Sequence, residues 1–336
     1  MFAKFAILRP AMTSARYLSF ALAIAASAAL PALAQTYPTK PVRYIVPFPA
    51  GGSPDIIARL ITERFGKMWG HQVIVDNRPG AGGTVGAGVA AKLPADGYNL
   101  FQCNIASSAI APALYAKLPY DHQRDFAPIS RIGTTPNVLV VHPAFPAHSM
   151  KEFMAYAKAN PGKLSYGTSA PGNSQQLTME LIKLTTKIDV VFIPYKGAPQ
   201  SLSDTIGGQI PCTLQSAPGV IAAIRAGRVR PLAVTSVKRI PQLPDVPTMS
   251  ETVLPNFDVN SWYGLCAPTG TPAPILDKVH TDLTTVLRMP EIQERLNELV
   301  VQVAPTSPQE FGQFIRAETE RWAKVIKAAN IPQEGG

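Results

Sequence analysis

Val42-Arg43-Tyr44-Ile45-Val46-Pro47-Phe48-Pro49-Ala50-Gly51-Gly52-Ser53-Pro54-Asp55 is the stretch on which the fold turns. Val42 to Phe48 reads as a strand, Pro49 to Gly52 as a tight turn, and Ser53-Pro54-Asp55 as the opening of a helix over Ile56 to Met68. Ser53 suits a cap because its oxygen can accept from an orphan helix N–H, and Pro54 lacks the donor that the first helical position leaves unused. Gly51 and Gly52 tolerate φ > 0 and leave their N–H groups open to a ligand. Strand, glycine turn and helix N-terminus together make an anion site, because free N–H groups and the positive end of the dipole point the same way. The same residues read equally as a plain capped connection. Asp55 in the first turn favours the dipole but would repel a bound anion, so its expected role is structural, accepting local backbone N–H groups.

Outward from this stretch the pattern repeats. Strands over Gln72 to Asp76 and Tyr98 to Cys103 alternate with helices over Val85 to Lys92 and Ala109 to Tyr115. Gly86-x-Gly88-x-x-Ala91 lies inside a run of helix formers and not after a strand, so it reads as close backbone packing and not as a dinucleotide site. Strand–helix alternation argues an α/β layer with a mainly parallel sheet, whose ligands sit beyond the carboxyl ends of the strands. Small hydroxyls at such an end, Ser107 and Ser108, can face a ligand or cap a helix. Asn137 to His142 is a further strand, taken as the first crossing into a second domain.

The second half is built the same way. Ser149-Met150-Lys151-Glu152 opens a helix to Asn160 in capping-box fashion. Leu164 to Thr168 is a strand, Ser169 to Gly172 a loop, and Asn173 or Ser174 the cap of a helix over Gln175 to Leu184. Val190 to Tyr195, followed by Lys196-Gly197-Ala198 and a helix over Pro199 to Gly207, is a third instance. Ile210 to Gln215, a helix over Gly219 to Ala226 and Pro231 to Thr235 complete this domain. Pro241, Pro244, Pro247 and Pro255 punctuate an extended segment that should not be helical. Val259 to Ala267 is expected as a strand returning to the first domain, and two crossing strands make a hinge. Helices follow: Pro274 to Arg288, then one opened by the capping box Ser307-Pro308-Gln309-Glu310, with Phe311, Ile315, Trp322 and Ile326 as a core stripe.

Lys4, Arg9 and Arg16, the apolar run Leu18 to Leu30 and the small residues Ala32-Leu33-Ala34 form an export-signal pattern with cleavage expected after Ala34. That run is shorter than the roughly 20 residues a membrane span needs. The net charge of +9 loses three of its positive charges with the signal. Lys and Arg are scattered without basic runs, so nucleic acid is a poor partner. Cys103, Cys212 and Cys266 are too few and too far apart for a disulfide framework, and apolar filler is the expected role of at least two. The five histidines lack metal-ligand spacing, so no metal or cofactor is indicated.

Catalytic motifs are absent: no Gly-x-Ser-x-Gly elbow, no Gly-Lys-Ser/Thr phosphate loop, no His-Glu-x-x-His. No catalytic residue is assigned. What the chain offers instead is several donor-rich helix N-termini on two lobes, and two of them facing each other would hold a dicarboxylate.

Val46-Pro47-Phe48-Pro49-Ala50-Gly51-Gly52-x-x-Asp55, Val75 to Gly83, Pro94-Ala95-Asp96-Gly97-Tyr98, Tyr166-Gly167-Thr168, Pro194-Tyr195-Lys196-Gly197 and Trp262-Tyr263-Gly264-Leu265 together resemble the tripartite tricarboxylate transporter receptors, also called Bordetella uptake gene (Bug) proteins. The likeness runs through the whole chain beyond the signal. It implies a periplasmic binding protein of two α/β lobes, each a mainly parallel sheet flanked by helices, with residues 1–34 as signal, 35–139 and 259–336 as lobe 1 and 140–258 as lobe 2. It implies a monomer that captures a small organic carboxylate, a di- or tricarboxylate, an acidic amino acid or an aromatic acid, for membrane permease subunits. It further implies carboxylate contacts from Phe48, Ala50, Gly51, Gly52 and Ser53, from Thr168, Ser169, Gly172, Asn173 and Ser174, and from Ser107 and Ser108. The chain departs from the family at Gln175-Gln176-Leu177, where His often precedes Leu, and at Pro211 to Gln215, where an acidic residue is common. A hydrolase or lyase using the same cleft is the rival reading.

Overall fold

Val42, Tyr44, Ile45 and Val46 are all buried, so β1 (Val42–Val46) is covered on both faces, as a strand inside a parallel sheet must be. The computed structural model describes residues 37–169, 172–328, 330–331 and 333. The expected export signal and its cleavage point lie outside them. β1 pairs in parallel with β2 (Val73–Asn77) and β3 (Asn99–Phe101). Between β1 and β2, α1 (Ser53–Trp69) buries Ile57, Ile61, Phe65 and Trp69, spaced four apart on one face. It stops at Gly70, whose φ of 66° turns its N–H onto Gly66 O at 3.1 Å. In α2 (Thr84–Ala90), Gly86 and Gly88 are packing residues: a Cβ would stand 2.6 Å from Arg78 O and 2.7 Å from Pro119 Cγ respectively.

The second lobe holds α3 (Met150–Ala159), β5 (Leu164–Ser169), α4 (Ser174–Thr186), β6 (Val190–Tyr195), α5 (Ala198–Ile206), β7 (Cys212–Ser216), α6 (Ala217–Arg225) and β8 (Arg230–Val234). β5 runs parallel to β6 and to β7. The outer strands of both lobes are thus parallel. In the middle, β4 (Phe126–Val141) and β9 (Asn260–Pro268) are antiparallel to each other, and the order through the sheet is β2-β1-β3-β9-β4-β7-β5-β6.

β4 is the element that the sequence reading cut short, beginning it at Asn137. Its first part, Phe126 to Pro136, pairs with β9, and its second, Asn137 to Val141, pairs with β7 and β8. Pro128 and Pro136, and register shifts at Pro128/Ser130 and Arg131/Gly133, erase the period-2 pattern that would have marked a strand. The chain therefore changes lobe at Pro136–Asn137. It changes back between β8 and β9, where Val259 N–H bonds Thr235 O at 3.0 Å.

α7 (Ala273–Arg288), α8 (Pro290–Glu298), β10 (Gln302–Val303) and α9 (Pro308–Ala328) finish the first lobe. Trp69 Nε1 donates to Asp282 Oδ2 at 2.7 Å, fixing α7 on α1. Phe311, Ile315, Trp322 and Ile326 are core, as their spacing predicts, and Ser307 and Glu310 form the expected reciprocal cap. The buried Glu318 carboxylate takes bonds from Trp262 Nε1 (3.1 Å), Trp322 Nε1 (3.4 Å) and Arg321 (3.2 Å). The proline-rich segment is not wholly extended: Met249–Thr252 is one helical turn, held by a capping box of Thr248 and Glu251.

Two cysteines are also corrected. Cys103 and Cys266 are disulfide-bonded, with Cα atoms 6.0 Å apart across a sequence separation of 163. They meet because β3 and β9 are neighbours, with Phe101 opposite Cys266, a pairing that no sequence spacing encodes. Cys212 is the buried apolar residue expected, its thiol 3.3 Å from Ser165 O, and burial pushes its pKa up.

His122 sits in the turn His122–Asp125 before β4, 5 % exposed and stacked on Phe126 with ring centroids 5.1 Å apart. Burial holds its pKa down to about 4, although the Asp121 and Asp125 carboxylates pull the other way. Below its unfolded value of about 6.5, the unfolded chain binds a proton that the native protein refuses, so stability falls as the pH drops. Urea titrations should show a loss concentrated between about pH 6.5 and pH 4, and His122→Gln should flatten that segment. An unchanged profile in the variant would assign the acid lability to other groups.

Candidate functional site

The cavity between the lobes is walled by the starts of four helices. Gly52, Ser53 and Pro54 open α1, Asn173, Ser174 and Gln175 open α4, Ala198 and Pro199 open α5, and Ser216 precedes α6. Three of the four helices, all but α4, carry Pro in the first turn, where it removes one orphan N–H and leaves the others directed out of the helix end. About 500 Å³ of unfilled space lies here with its open mouth included, of which the centre of a water-sized sphere can occupy about 40 Å³. None of the described residues lining it is acidic or basic. Phe48, Pro49, Ile105, Ala106, Ala198 and Pro199 supply the apolar wall.

The first loop is held from behind. Asp55, 2 % exposed, accepts from Gly51 N–H (2.9 Å), Arg59 Nε (2.9 Å) and Asn77 Nδ2 (3.0 Å), and the same Asn77 amide donates to Phe48 O at 3.0 Å. Burial alone would raise the Asp55 pKa, but the bonds from Arg59, Gly51 and Asn77 outweigh it and hold the carboxyl below its usual range. Two expectations are corrected by this geometry. The Gly51 N–H is engaged by Asp55 and not open to a ligand, because a carboxylate in the first turn captures the nearest backbone donor. Gly51 alone takes positive φ (78°). Gly52, at −78°, is the helix cap, which moves Ser53 one place inside the helix, where its hydroxyl makes no capping bond. Ala50 is exposed and stands outside the lining.

On the second lobe Asn173 is the cap, its Oδ1 accepting from Gln176 N–H at 2.7 Å. Its Nδ2 donates to Ser169 Oγ (2.8 Å), to Ser169 O and to Thr168 Oγ1 (3.3 Å), so Thr168 lies one layer behind. Gly172, at φ 82°, gives its N–H to Gln176 Oε1 at 2.7 Å. Ala170 and Pro171 of this loop lie outside the described residues. Phe48, Gly52, Ser53, Ser169, Asn173 and Ser174 are thus brought together at the cavity, whereas Gly51, Thr168 and Gly172 shape its loops.

Ser107 and Ser108 are not at the cavity. Both are buried in a π turn, Ala106–Ile110, and both bond Asn104: Ser107 Oγ accepts from Asn104 Nδ2 (3.0 Å), and Ser108 Oγ accepts from Asn104 N–H (3.3 Å). The third wall is instead Asn104, Ile105 and Ala106, placed by the Cys103–Cys266 disulfide beside β9, which contributes Ser261 and Tyr263. Burial raises the Tyr263 hydroxyl to about 12, with the Ser216 and Ser53 hydroxyls drawing it down.

A buried polar network floors the cavity where the chain changes lobe. Asn137 Oδ1 accepts from Gln175 Nε2 (3.0 Å), Ser216 Oγ (3.1 Å) and Ser261 Oγ (3.1 Å), while Ser174 and Ser261 hydroxyls lie 3.1 Å apart. Asn137 Nδ2 is buried without a partner among the described residues. Reading the sequence missed Gln175, Ala198, Gln215, Ser216, Ser261 and Tyr263. The starts of α5 and α6 carried a usable signal, since Gly197-Ala198-Pro199 and Ser216-Ala217-Pro218 repeat the strand, cap, proline pattern of the opening stretch. At the mouth the two lobes touch: a Cβ on Gly197 would stand 2.6 Å from Pro49 Cγ.

The family model described as "Tripartite tricarboxylate transporter family receptor" matches residues 57–331. Protein BugT of Bordetella pertussis is 35% identical over 303 residues, 90% of this chain and 93% of that one. A solved R. palustris protein with adipate superposes with TM-score 0.86 at 35% identity, over 88% of this chain and 99% of that one. MatC from Rhodopseudomonas palustris, with bound malate, superposes with TM-score 0.82 at 31% identity, over 86% of this chain and all of that one.

Asp55→Asn retains the shape of the loop support and removes its charge. Because the folded pKa lies below the unfolded value, the stability this carboxylate contributes is present above the unfolded pKa and lost as the pH falls through the folded one. The variant should melt lower at neutral pH, with the gap closing below about pH 4. Scanning calorimetry across pH checks this, and a pH-independent gap would show that bond geometry and not charge holds the loop.

Proposed function

This chain belongs to the tripartite tricarboxylate transporter family of receptors, and from that premise we propose that it captures a small organic carboxylate in the interlobe cavity and delivers it to the permease subunits of such a transporter. The observation that carries the reading is the convergence of helix N-termini from both lobes on a space lined by no charged side chain. Each carboxylate is met by backbone N–H groups and hydroxyls, Ser53 from one side, beside a Gly52 N–H held only by a long 3.4 Å bond to Pro49 O, and Ser169, Asn173 and Ser174 from the other. A hydrogen bond to a charged group contributes roughly 1.5 to 3 kcal/mol net. Four or five of them reach the region of −8 kcal/mol that micromolar binding requires. The adipate and malate of the two solved relatives are both dicarboxylates, the ligand type that two facing anion sites suit. The family is one of receptors, which sets aside the hydrolase or lyase reading.

The proposed hinge is the pair of crossings at Pro136–Asn137 and Val259–Asn260, and the lobes proposed on that basis are residues 40–136 with 260–328, and 137–259. Export with cleavage after Ala34 would place the protein in the periplasm as a monomer. Among the described residues no helix is long and apolar enough to cross a membrane.

Closure is testable at Gly197, whose φ of −173° any residue adopts but whose missing Cβ leaves room for Pro49 of the other lobe. Gly197→Val should weaken binding of a dicarboxylate at least tenfold while the ligand-free protein melts as before. Titration calorimetry over acids from succinate to adipate, each beside its monoamide, decides the function. Micromolar binding of a diacid and at least tenfold weaker binding of its monoamide is expected, and turnover of any acid or equal binding of acid and amide would overturn the reading.

A further inference from the structure

Gln215 ends β7 beside Ser216, is 3 % exposed, and borders the cavity. Its side-chain nitrogen lies 2.7 Å from Ser201 Oγ, 2.7 Å from Thr213 Oγ1 and 3.4 Å from Ala198 O. Which end of the amide carries the nitrogen follows from counting protons. Thr213 gives its hydroxyl proton to Gly167 O at 2.7 Å, and Ser201 gives its own to Ala198 O at 3.1 Å or to Thr213 Oγ1 at 3.3 Å. Each hydroxyl has a single proton, so both oxygens can only accept from Gln215, and a backbone carbonyl can only accept as well. The amide nitrogen is therefore the end that faces into the lobe.

The amide oxygen is the other arm of the same planar group and is not held by those acceptors. Gln215 Oε1 has no protein partner among the described residues and is not sealed from solvent, and the open space that Gln215 borders is the interlobe cavity. It is an acceptor set in a wall of donors. A carboxylate has no proton to give and cannot satisfy it. Resting on the reading under Proposed function, we infer that the ligand is a hydroxy-carboxylate whose hydroxyl donates to Gln215 Oε1 while its carboxylates face the helix N-termini. An ammonium is the other donor that a small acid can carry. No acidic side chain lines the cavity to balance it, and the positive ends of the helices disfavour a cation there. Gln215 is thus a specificity-determining residue that separates acids of one skeleton by the group beside the carboxylate.

Succinate, malate and aspartate share a four-carbon diacid skeleton and differ in carrying hydrogen, hydroxyl or ammonium, so they isolate that group. Titration calorimetry on the wild-type protein should find malate bound about tenfold tighter than succinate and tighter than aspartate, since a site built around a ligand hydroxyl discriminates against the analogue that lacks it. In Gln215→Leu the ratio of malate to succinate affinity should fall below about threefold, with melting curves verifying that the variant is folded. Succinate equal to malate in the wild type, aspartate tighter than malate, or an undiminished malate preference in folded Gln215→Leu would each overturn the inference and leave the carboxylate reading standing. Should the leucine variant not fold, the wild-type comparison alone decides. Failure of the folded wild-type protein to bind any of the three would overturn the inference, and the reading under Proposed function would fall with it only if the longer diacids up to adipate were refused as well.

Discussion

The antiparallel pairing of β4 with β9, from Phe126–Pro268 to Pro136–Asn260, is the constraint on which the rest depends. One strand leaves the first lobe and the other returns to it, so the two lie side by side where the lobes meet. Asn137 and Ser261 sit at this point, one on each strand, and accept or exchange bonds with Gln175 and Ser216 of the second lobe. The cavity floor and the proposed hinge are consequently the same few residues.

The second constraint is electrostatic. A cavity that uses helix N-termini and no charged side chain holds an anion without burying a cation whose desolvation would have to be offset when the ligand is absent. The cations near the loop are engaged elsewhere, Arg59 on Asp55 and Arg78 on Asp76. Asp55 itself is turned to the rear of the loop, where it takes the Gly51 N–H and leaves the front of the helix to the ligand. The polar groups left at the cavity are neutral. Gln175 and Gln215 both border the cavity, and both have their amide nitrogens held by several acceptors.

Packing explains why the loops can meet at all. Gly197 and Gly219 carry no Cβ where Pro49 and Ser53 of the other lobe approach, at 2.6 Å and 3.0 Å from the position a Cβ would take. The disulfide holds the third wall in a similar way, joining Cys103, one residue before Asn104, to the strand that carries Ser261 and Tyr263.

The strand, glycine turn and helix of the opening stretch, its repeats at Thr168 to Ser174 and at Tyr195 to Pro199, and the capping box at Ser307 were legible in the sequence because each is a local matter: a period, a cap or a fixed φ acts within four or five residues. Phe126 to Pro136 was illegible as a strand because prolines and bulges remove its period, and its partner β9 supplies the pairing instead. Ser107 and Ser108 looked like ligand groups because small hydroxyls after a strand are ambiguous locally, and only the fold turns them toward Asn104. The Cys103–Cys266 bond and the meeting of Asn137, Gln175, Ser216 and Ser261 were decided by tertiary structure alone. These groups lie far apart in the chain, and strand pairing across the middle of the sheet, β3 with β9 and β4 with β9 and β7, brings them within bonding distance.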